Sequence, residues 1–115
     1  MRTINTSLQA VAAAALLAAL GAPAISQAAD ATAAQALARK EKCLTCHSVD
    51  KAKDGPSFKS VAAKYKGKAD AEDHIVKQLT SGPKVKFPDG HEEEHKVIKA
   101  SAGDIKNVAQ WILSQ

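Results

Sequence analysis

The sequence is poor in aromatic side chains, which limits the hydrophobic core that it can build. Phe58, Tyr65, Phe87 and Trp111 are the only aromatic residues among 115. Small domains lie near the size at which a protein core alone is marginally stable, and they commonly add a disulfide, a metal or a cofactor. We therefore expect a bound group to supply apolar bulk that the side chains do not.

Cysteine and methionine are also scarce. Cys43 and Cys46 are the only cysteines and stand close together, so no disulfide framework can join distant parts of the chain. The single methionine is Met1. No basic helix with interleaved aromatic residues occurs, so we do not expect nucleic acid as a partner.

The only long apolar run lies at the N-terminus. Arg2 precedes an uncharged Ala/Leu run over residues 8–20, and Ser26-Gln27-Ala28 places small residues before a cleavage point. We predict a secretory signal peptide over residues 1–28, cut after Ala28 or Ala29, because the run is too short and Ala-rich for a membrane span. One domain, residues 29–115, then remains without stable membrane insertion. It has 15 Lys and Arg against 12 Asp and Glu, a net charge of +3.

What is present is the motif Cys43-Leu44-Thr45-Cys46-His47, which has the form C-x-x-C-H. This is the attachment signature of a c-type haem. The two thiols can each form a thioether to a haem vinyl group, and His47 is then held beside the iron and can ligate it. We predict one covalent haem c, and the export signal supports this because such haem is attached outside the bacterial inner membrane.

Other readings of these residues remain open. Cys43, Cys46, His91 and His95 have the order of a C-x₂-C…H-x₃-H zinc site, although the two halves are much farther apart than in a zinc finger. A thioredoxin-like redox pair would need a βαβ context, which the pattern does not show. A disulfide between the two cysteines is a third alternative.

Apolar periodicity and capping residues predict an all-α domain of about four helices. The first is capped by a Thr32–Gln35 capping box, presents Ala33, Ala36 and Leu37 as its apolar stripe, and runs directly into the motif. We expect no strand, and the segment from Lys84 to Ala100 is interpreted as mostly loop. The predicted helices are Asp30–Lys42, Ser57–Tyr65, Asp70–Ser81 and a last one that begins after Ser101.

With these features the chain resembles the small bacterial monohaem class I cytochromes c over its whole mature length. The resemblance rests on the motif, on Gly55-Pro56 with the helix after it, and on the last helix. It implies a class I fold around one haem, with the first and last helices crossing beside it. It also implies that His47 is the proximal ligand and that the Pro56 carbonyl accepts its Nδ1–H bond.

The family's usual distal ligand, a methionine in the loop before the last helix, has no counterpart in the mature chain. His95 stands six residues before Ser101, about where that methionine lies in the family, so we predict His95 as the second iron ligand. His91 and an open or water-bound iron are the alternatives. His74 shares the polar face of its helix, so we interpret it as solvated.

The resulting hypothesis is a periplasmic electron-transfer protein with bis-histidine haem ligation, which carries electrons and is not an enzyme. The alternative is a haem-based gas sensor or ligand-binding protein from which the distal histidine dissociates. Redox proteins are the expected partners. Lysines around the haem edge would attract an acidic partner, although they fit a merely solvated surface equally well. The lysines considered are Lys51, Lys53, Lys84, Lys86, Lys96 and Lys99.

Overall fold

The computed structural model describes residues 28–115, and the predicted signal peptide therefore lies almost entirely outside the described residues. Four helices make up the domain, which confirms the predicted all-α class. None of the helices in residues 28–115 has the length and hydrophobicity that a membrane span requires. The elements in chain order are α1 (Ala31–Lys40), a 3₁₀ turn (Cys43–Thr45), α2 (Phe58–Tyr65), α3 (Ala71–Ser81), β1 (Lys84–Lys86), β2 (Glu92–Glu94) and α4 (Ala102–Leu113).

Helices α1, α2 and α3 all pack against α4. At the contact with α1 the residues are small: Ala34 and Ala109 are fully buried and Ala38 nearly so. Small side chains let the two helix backbones approach closely. The predicted stripe on α1 was displaced by one position, because Ala33 and Ala36 are exposed. The expected pairing of the first and last helices is confirmed.

Three helices begin with a side-chain cap. The oxygens of Asp30, Ser57 and Ser101 accept the backbone N–H of the third residue on in each case. Such a cap contributes about 1 kcal/mol to the stability of the protein. The predicted capping box at Thr32 was wrong, since Asp30 performs that role two residues earlier.

The end of α1 corrects the prediction that this helix continues into the motif. The helix stops at Lys40, and Lys42 adopts left-handed backbone angles, with φ 59° and ψ 27°. Lys42 is the only residue other than glycine with positive φ among those described. Such a residue commonly closes a helix and turns the chain away from the helix axis. The motif is therefore presented on a separate turn.

The segment before α4 contains a small antiparallel hairpin, so the prediction of no strand was wrong. Strands β1 and β2 pair with Lys84 opposite Glu94 and Lys86 opposite Glu92. Opposite charges facing each other across two strands stabilise the pairing. Neither strand shows the alternating apolar pattern by which a longer strand is recognised, because each has only three residues, most of them charged, and none of them is buried.

Candidate functional site

The motif forms one tight turn that leaves both thiols on the same short segment. The backbone N–H groups of Cys46 and His47 both donate to the Cys43 carbonyl, at 3.2 and 3.0 Å. Both cysteines are free thiols and half-buried. Burial raises the pKa of the Cys43 thiol, an effect that nearby Lys96 partly opposes. Two reduced thiols one turn apart can react with two sites on one bound group.

The loop after the motif folds back and holds it in place. The Gly55 N–H donates to the Cys46 carbonyl at 2.8 Å, and the Lys53 ammonium donates to the Leu44 carbonyl at 2.9 Å. Farther along the chain, the Phe58 N–H donates to the Ser48 carbonyl at 2.9 Å. These bonds connect the motif to the start of α2, so the position of His47 relative to α2 is well defined.

The His47 ring is confined on several sides. Its Nδ1–H donates to the Pro56 carbonyl at 2.7 Å, as the family resemblance implied. Phe58 stacks on the ring with centroids 5.3 Å apart. A Cβ atom on Gly55 would lie 2.5 Å from His47 Cε1, so only glycine fits there. The bond to Pro56 fixes the tautomer and leaves the Nε2 lone pair available to a metal.

His95 faces His47. The two ring centroids lie 6.2 Å apart, with the rings inclined at 51°. The Nδ1–H of His95 donates to the Lys96 carbonyl at 2.9 Å, which makes Nε2 the nitrogen that could bind a metal. Burial lowers the pKa of His95, and the proximity of His47 lowers it further. The ring also interacts with the Gln78 backbone, which, like the bond to Lys96, raises the pKa of His95. A lowered pKa favours the neutral imidazole, which is the form that can bind a metal.

The backbone around His95 is attached to the end of α3. The His95 N–H donates to the Pro83 carbonyl at 2.8 Å, and the Ile98 N–H donates to the Leu79 carbonyl at 2.9 Å. Gly82 ends α3 with φ +61°, and a Cβ there would lie 3.3 Å from the His95 carbonyl oxygen. The position of His95 therefore depends on a close backbone approach that glycine permits.

His91 occupies a different environment, at the turn of the hairpin. Its Nδ1 contacts the Asp89 carboxylate closely, and its Nε2 lies 3.1 Å from Glu93 Oε1. Phe87 stacks on the ring at 4.3 Å. Both ring nitrogens are engaged, so His91 does not present a free lone pair. No group of three or more His, Cys, Asp or Glu side chains in residues 28–115 is arranged to hold a metal ion, and the zinc arrangement is not formed there.

His74 behaves as the sequence indicated. Its Nε2 lies 3.0 Å from Asp70 Oδ2, and its side chain is half exposed. Its ring also contacts Tyr65, with centroids 5.5 Å apart.

The residues that orient His95 could not be predicted from the sequence. Nothing in the local pattern signals that Lys96 or Pro83 supplies the accepting carbonyl, because every residue has a backbone carbonyl.

Comparison with known proteins decides the family. The cytochrome c family model matches residues 31–115, nearly all of the described chain.

The chain belongs to the cytochrome c family.

Several relatives cover most of this cytochrome c domain. Cytochrome c-551 of Allochromatium vinosum is 40% identical over 77 residues, which cover 67% of this chain and 80% of that protein. Cytochrome c-552 of Hydrogenobacter thermophilus is 35% identical over 78 residues, 68% of this chain and 76% of that protein. Among solved structures, the crystal structure of the class 1 cytochrome MtoD from Sideroxydans lithotrophicus ES-1 is similar to this domain, with a TM-score of 0.75 and 62% sequence identity. The alignment covers 76% of this chain and 97% of the MtoD chain.

Family membership confirms three expectations drawn from the sequence. The protein is a small class I cytochrome c, it carries one covalently bound haem c, and it is an electron carrier that works with redox partner proteins and not an enzyme.

The contacts of His91 generate a prediction about pH. The hydrogen bond to Asp89 raises the pKa of His91 above 6.5, and Glu93 adds to this. Because the pKa of His91 is higher in the folded than in the unfolded protein, protonation of the ring stabilises the hairpin turn. This stabilisation is fully present at pH values below the unfolded pKa, and it is lost as the pH rises through the folded pKa. Nuclear magnetic resonance titration of the reduced protein should show this raised pKa. Asp89→Asn should lower it, whereas Glu94→Gln, which alters a carboxylate opposite Lys84, should leave it unchanged. An equal effect of both variants would contradict the assignment.

Proposed function

We propose that this cytochrome c is an exported, periplasmic electron carrier whose haem is attached through Cys43 and Cys46 and ligated by His47 and His95. The separation of the two imidazoles is the observation that carries the proposal. Two rings bound to one metal through bonds of about 2 Å have centroids roughly 6 Å apart, and the His47 and His95 centroids are 6.2 Å apart.

The hydrogen bonds of the two rings support the same arrangement. Each ring donates its Nδ1–H to a backbone carbonyl, His47 to Pro56 and His95 to Lys96. A ligating histidine typically donates its other ring N–H in this way, which orients the ring and increases its basicity towards the metal. With Nδ1 of each ring engaged, Nε2 is the nitrogen through which each histidine would bind the iron.

The bound haem supplies a centre that gains and loses a single electron reversibly. The chain's own residues keep that centre's surroundings constant. Both imidazoles are bonded to backbone carbonyls, and both segments are anchored by further backbone bonds to α2 and α3. Little has to move when the charge of the centre changes, which favours rapid transfer.

The intact mass of protein purified from the periplasm tests signal-peptide cleavage and haem attachment together. The expected mass is that of residues 29–115 or 30–115 plus one haem, since export and attachment belong to the same compartment. Cys43→Ala and Cys46→Ala should each leave one thioether at most and lower the yield of coloured protein. Colourless wild-type protein with bound zinc, or a chain that retains residues 1–28, would contradict the proposal.

The distal ligand is tested by three substitutions in the loop before α4. His95→Ala should open one face of the iron, so that the reduced protein takes up carbon monoxide, and His95→Met should raise the reduction potential because axial methionine favours the reduced state. His91→Ala is the matched control and should do neither, since both nitrogens of that ring already face carboxylates.

The opposite behaviour of the His91 and His95 variants would assign the ligand to His91. Rapid carbon monoxide uptake by the wild-type protein would instead favour the alternative function, a haem-based sensor with a dissociating distal histidine. Absorption spectra of both oxidation states, with and without carbon monoxide, provide the measurement.

Acidic redox partners are the proposed partners. Of the six lysines considered, Lys53 and Lys96 lie beside the site but are engaged by Leu44 and Glu41. Lys84 and Lys86 face glutamates across the hairpin, which reduces their attraction for a partner. Lys51 and Lys99 are exposed and have no carboxylate partner within the described residues.

Electrostatic attraction between these lysines and an acidic partner is expected to weaken as the salt concentration rises. The rate of electron transfer to an acidic redox protein, measured by stopped flow, should fall as ionic strength rises. Lys51→Gln and Lys99→Gln should reduce that dependence more than Lys84→Gln, whose charge already lies opposite Glu94. A rate independent of salt would support the solvated-surface interpretation.

A further inference from the structure

Glu41 is an unusually buried acidic residue. It follows the last residue of α1 and precedes Cys43 by two positions, and it is only 9% exposed. Its carboxylate lies 3.7 Å from the Lys96 ammonium, and the exposed fractions of the two side chains are 12% for Glu41 and 53% for Lys96. The pair therefore joins the segment that leads into the haem-attachment motif to the residue directly after His95.

The other ion pairs in residues 28–115 are more exposed. Lys106 lies 3.4 Å from Glu72, whose side chain is 34% exposed, and both members of the Lys59–Asp50 pair are more than half exposed. Exposed pairs contribute little to stability. A carboxylate removed from water is different, because losing its partner leaves an uncompensated charge in a poorly solvated place. Glu41 thus favours conformations that keep Lys96 close.

Lys96 makes contacts through both its side chain and its backbone. Its ammonium contacts Glu41, while its backbone carbonyl accepts the Nδ1–H bond of His95 at 2.9 Å. The pair also lies near the first thiol: burial raises the pKa of Cys43, Lys96 lowers it and Glu41 raises it. A displacement of Lys96 would therefore move the carbonyl that orients the His95 ring.

We propose that the Glu41–Lys96 ion pair is a brace that holds the His95 loop against the haem-attachment motif, so that Glu41 and Lys96 are positioning residues for the distal histidine. This inference rests on the proposed ligation by His95. It implies that the occupancy of the distal site depends on an ion pair that is linked to the His95 ring only through the Lys96 backbone carbonyl.

The test compares Glu41→Gln and Lys96→Gln in the haem-loaded protein. Each should increase the apparent affinity of the reduced protein for carbon monoxide by roughly fivefold, the factor expected from losing one partly buried ion pair. Because both changes remove the same contact, the double variant should show no more than the larger single effect. Lys96→Arg keeps the charge and the reach, and should restore wild-type behaviour.

Glu72→Gln is the matched control. It removes a carboxylate from an ion pair of similar length, with Lys106 of α4. That carboxylate also accepts a hydrogen bond from Gln110, and neither contact includes His95 or Lys96. Glu72→Gln should leave carbon monoxide affinity unchanged. If Glu41→Gln behaves like this control, or if Lys96→Arg is as impaired as Lys96→Gln, the brace is refuted. Should Glu41→Gln fail to accumulate, the exposed Lys96 variants decide the matter alone.

Amide hydrogen exchange separates failure of the brace from failure of the proposed ligand. The N–H groups of His95 and Ile98 are bonded to Pro83 and Leu79, and their exchange should accelerate about fivefold in Lys96→Gln. If His95→Ala leaves the spectrum of the iron unchanged, ligation by His95 is wrong, yet faster exchange would still demonstrate the brace. If His95→Ala opens the site but exchange is unaltered in Lys96→Gln, only the brace is wrong.

Discussion

The orientation of the His47 ring is the constraint on which the rest of the domain depends. Its Nδ1–H bond to Pro56 is possible only because the loop returns over the motif, and Gly55 leaves no side chain in the way. Phe58 stacks on the ring and in turn meets Trp111 of α4 edge to face, with centroids 5.3 Å apart. One imidazole therefore connects the motif, the start of α2 and the main helix of the core.

The two sides of the site are built differently. His47 is held by a tight loop and an aromatic stack, whereas His95 is held by backbone bonds to the end of α3 and by the Lys96 carbonyl. The His47 ring is connected to the core, and the His95 ring lies next to an exposed hairpin. Segments with few buried contacts open more readily than core helices. Local opening of the site is therefore expected to begin at His95 and not at His47.

The N-terminus of the domain is also connected over a long distance. Asn107 of α4 accepts from the Asp30 N–H at 2.8 Å and donates to the Asp30 carbonyl at 2.9 Å. This places the first turn of α1 on α4 beside the predicted leader cleavage point. With few aromatic residues available, the small-residue contact of α1 with α4 and this pair of hydrogen bonds contribute stability that a larger core would otherwise supply.

The sequence by itself determined the motif for covalent haem attachment and the four helices, because these depend on neighbours along the chain. The C-x-x-C-H spacing and the 3.6-residue periodicity are local properties. Only the tertiary structure decided that His95 faces His47 while His91 turns to Asp89 and Glu93. It likewise revealed the charged hairpin, left-handed Lys42 and the burial of Glu41. Their physical reasons differ. The approach of His95 to His47 and the burial of Glu41 against Lys96 arise from packing between segments that are distant in the chain. The hairpin, the contacts of His91 and the backbone angles of Lys42 are short-range, but they follow no periodic pattern that the sequence displays.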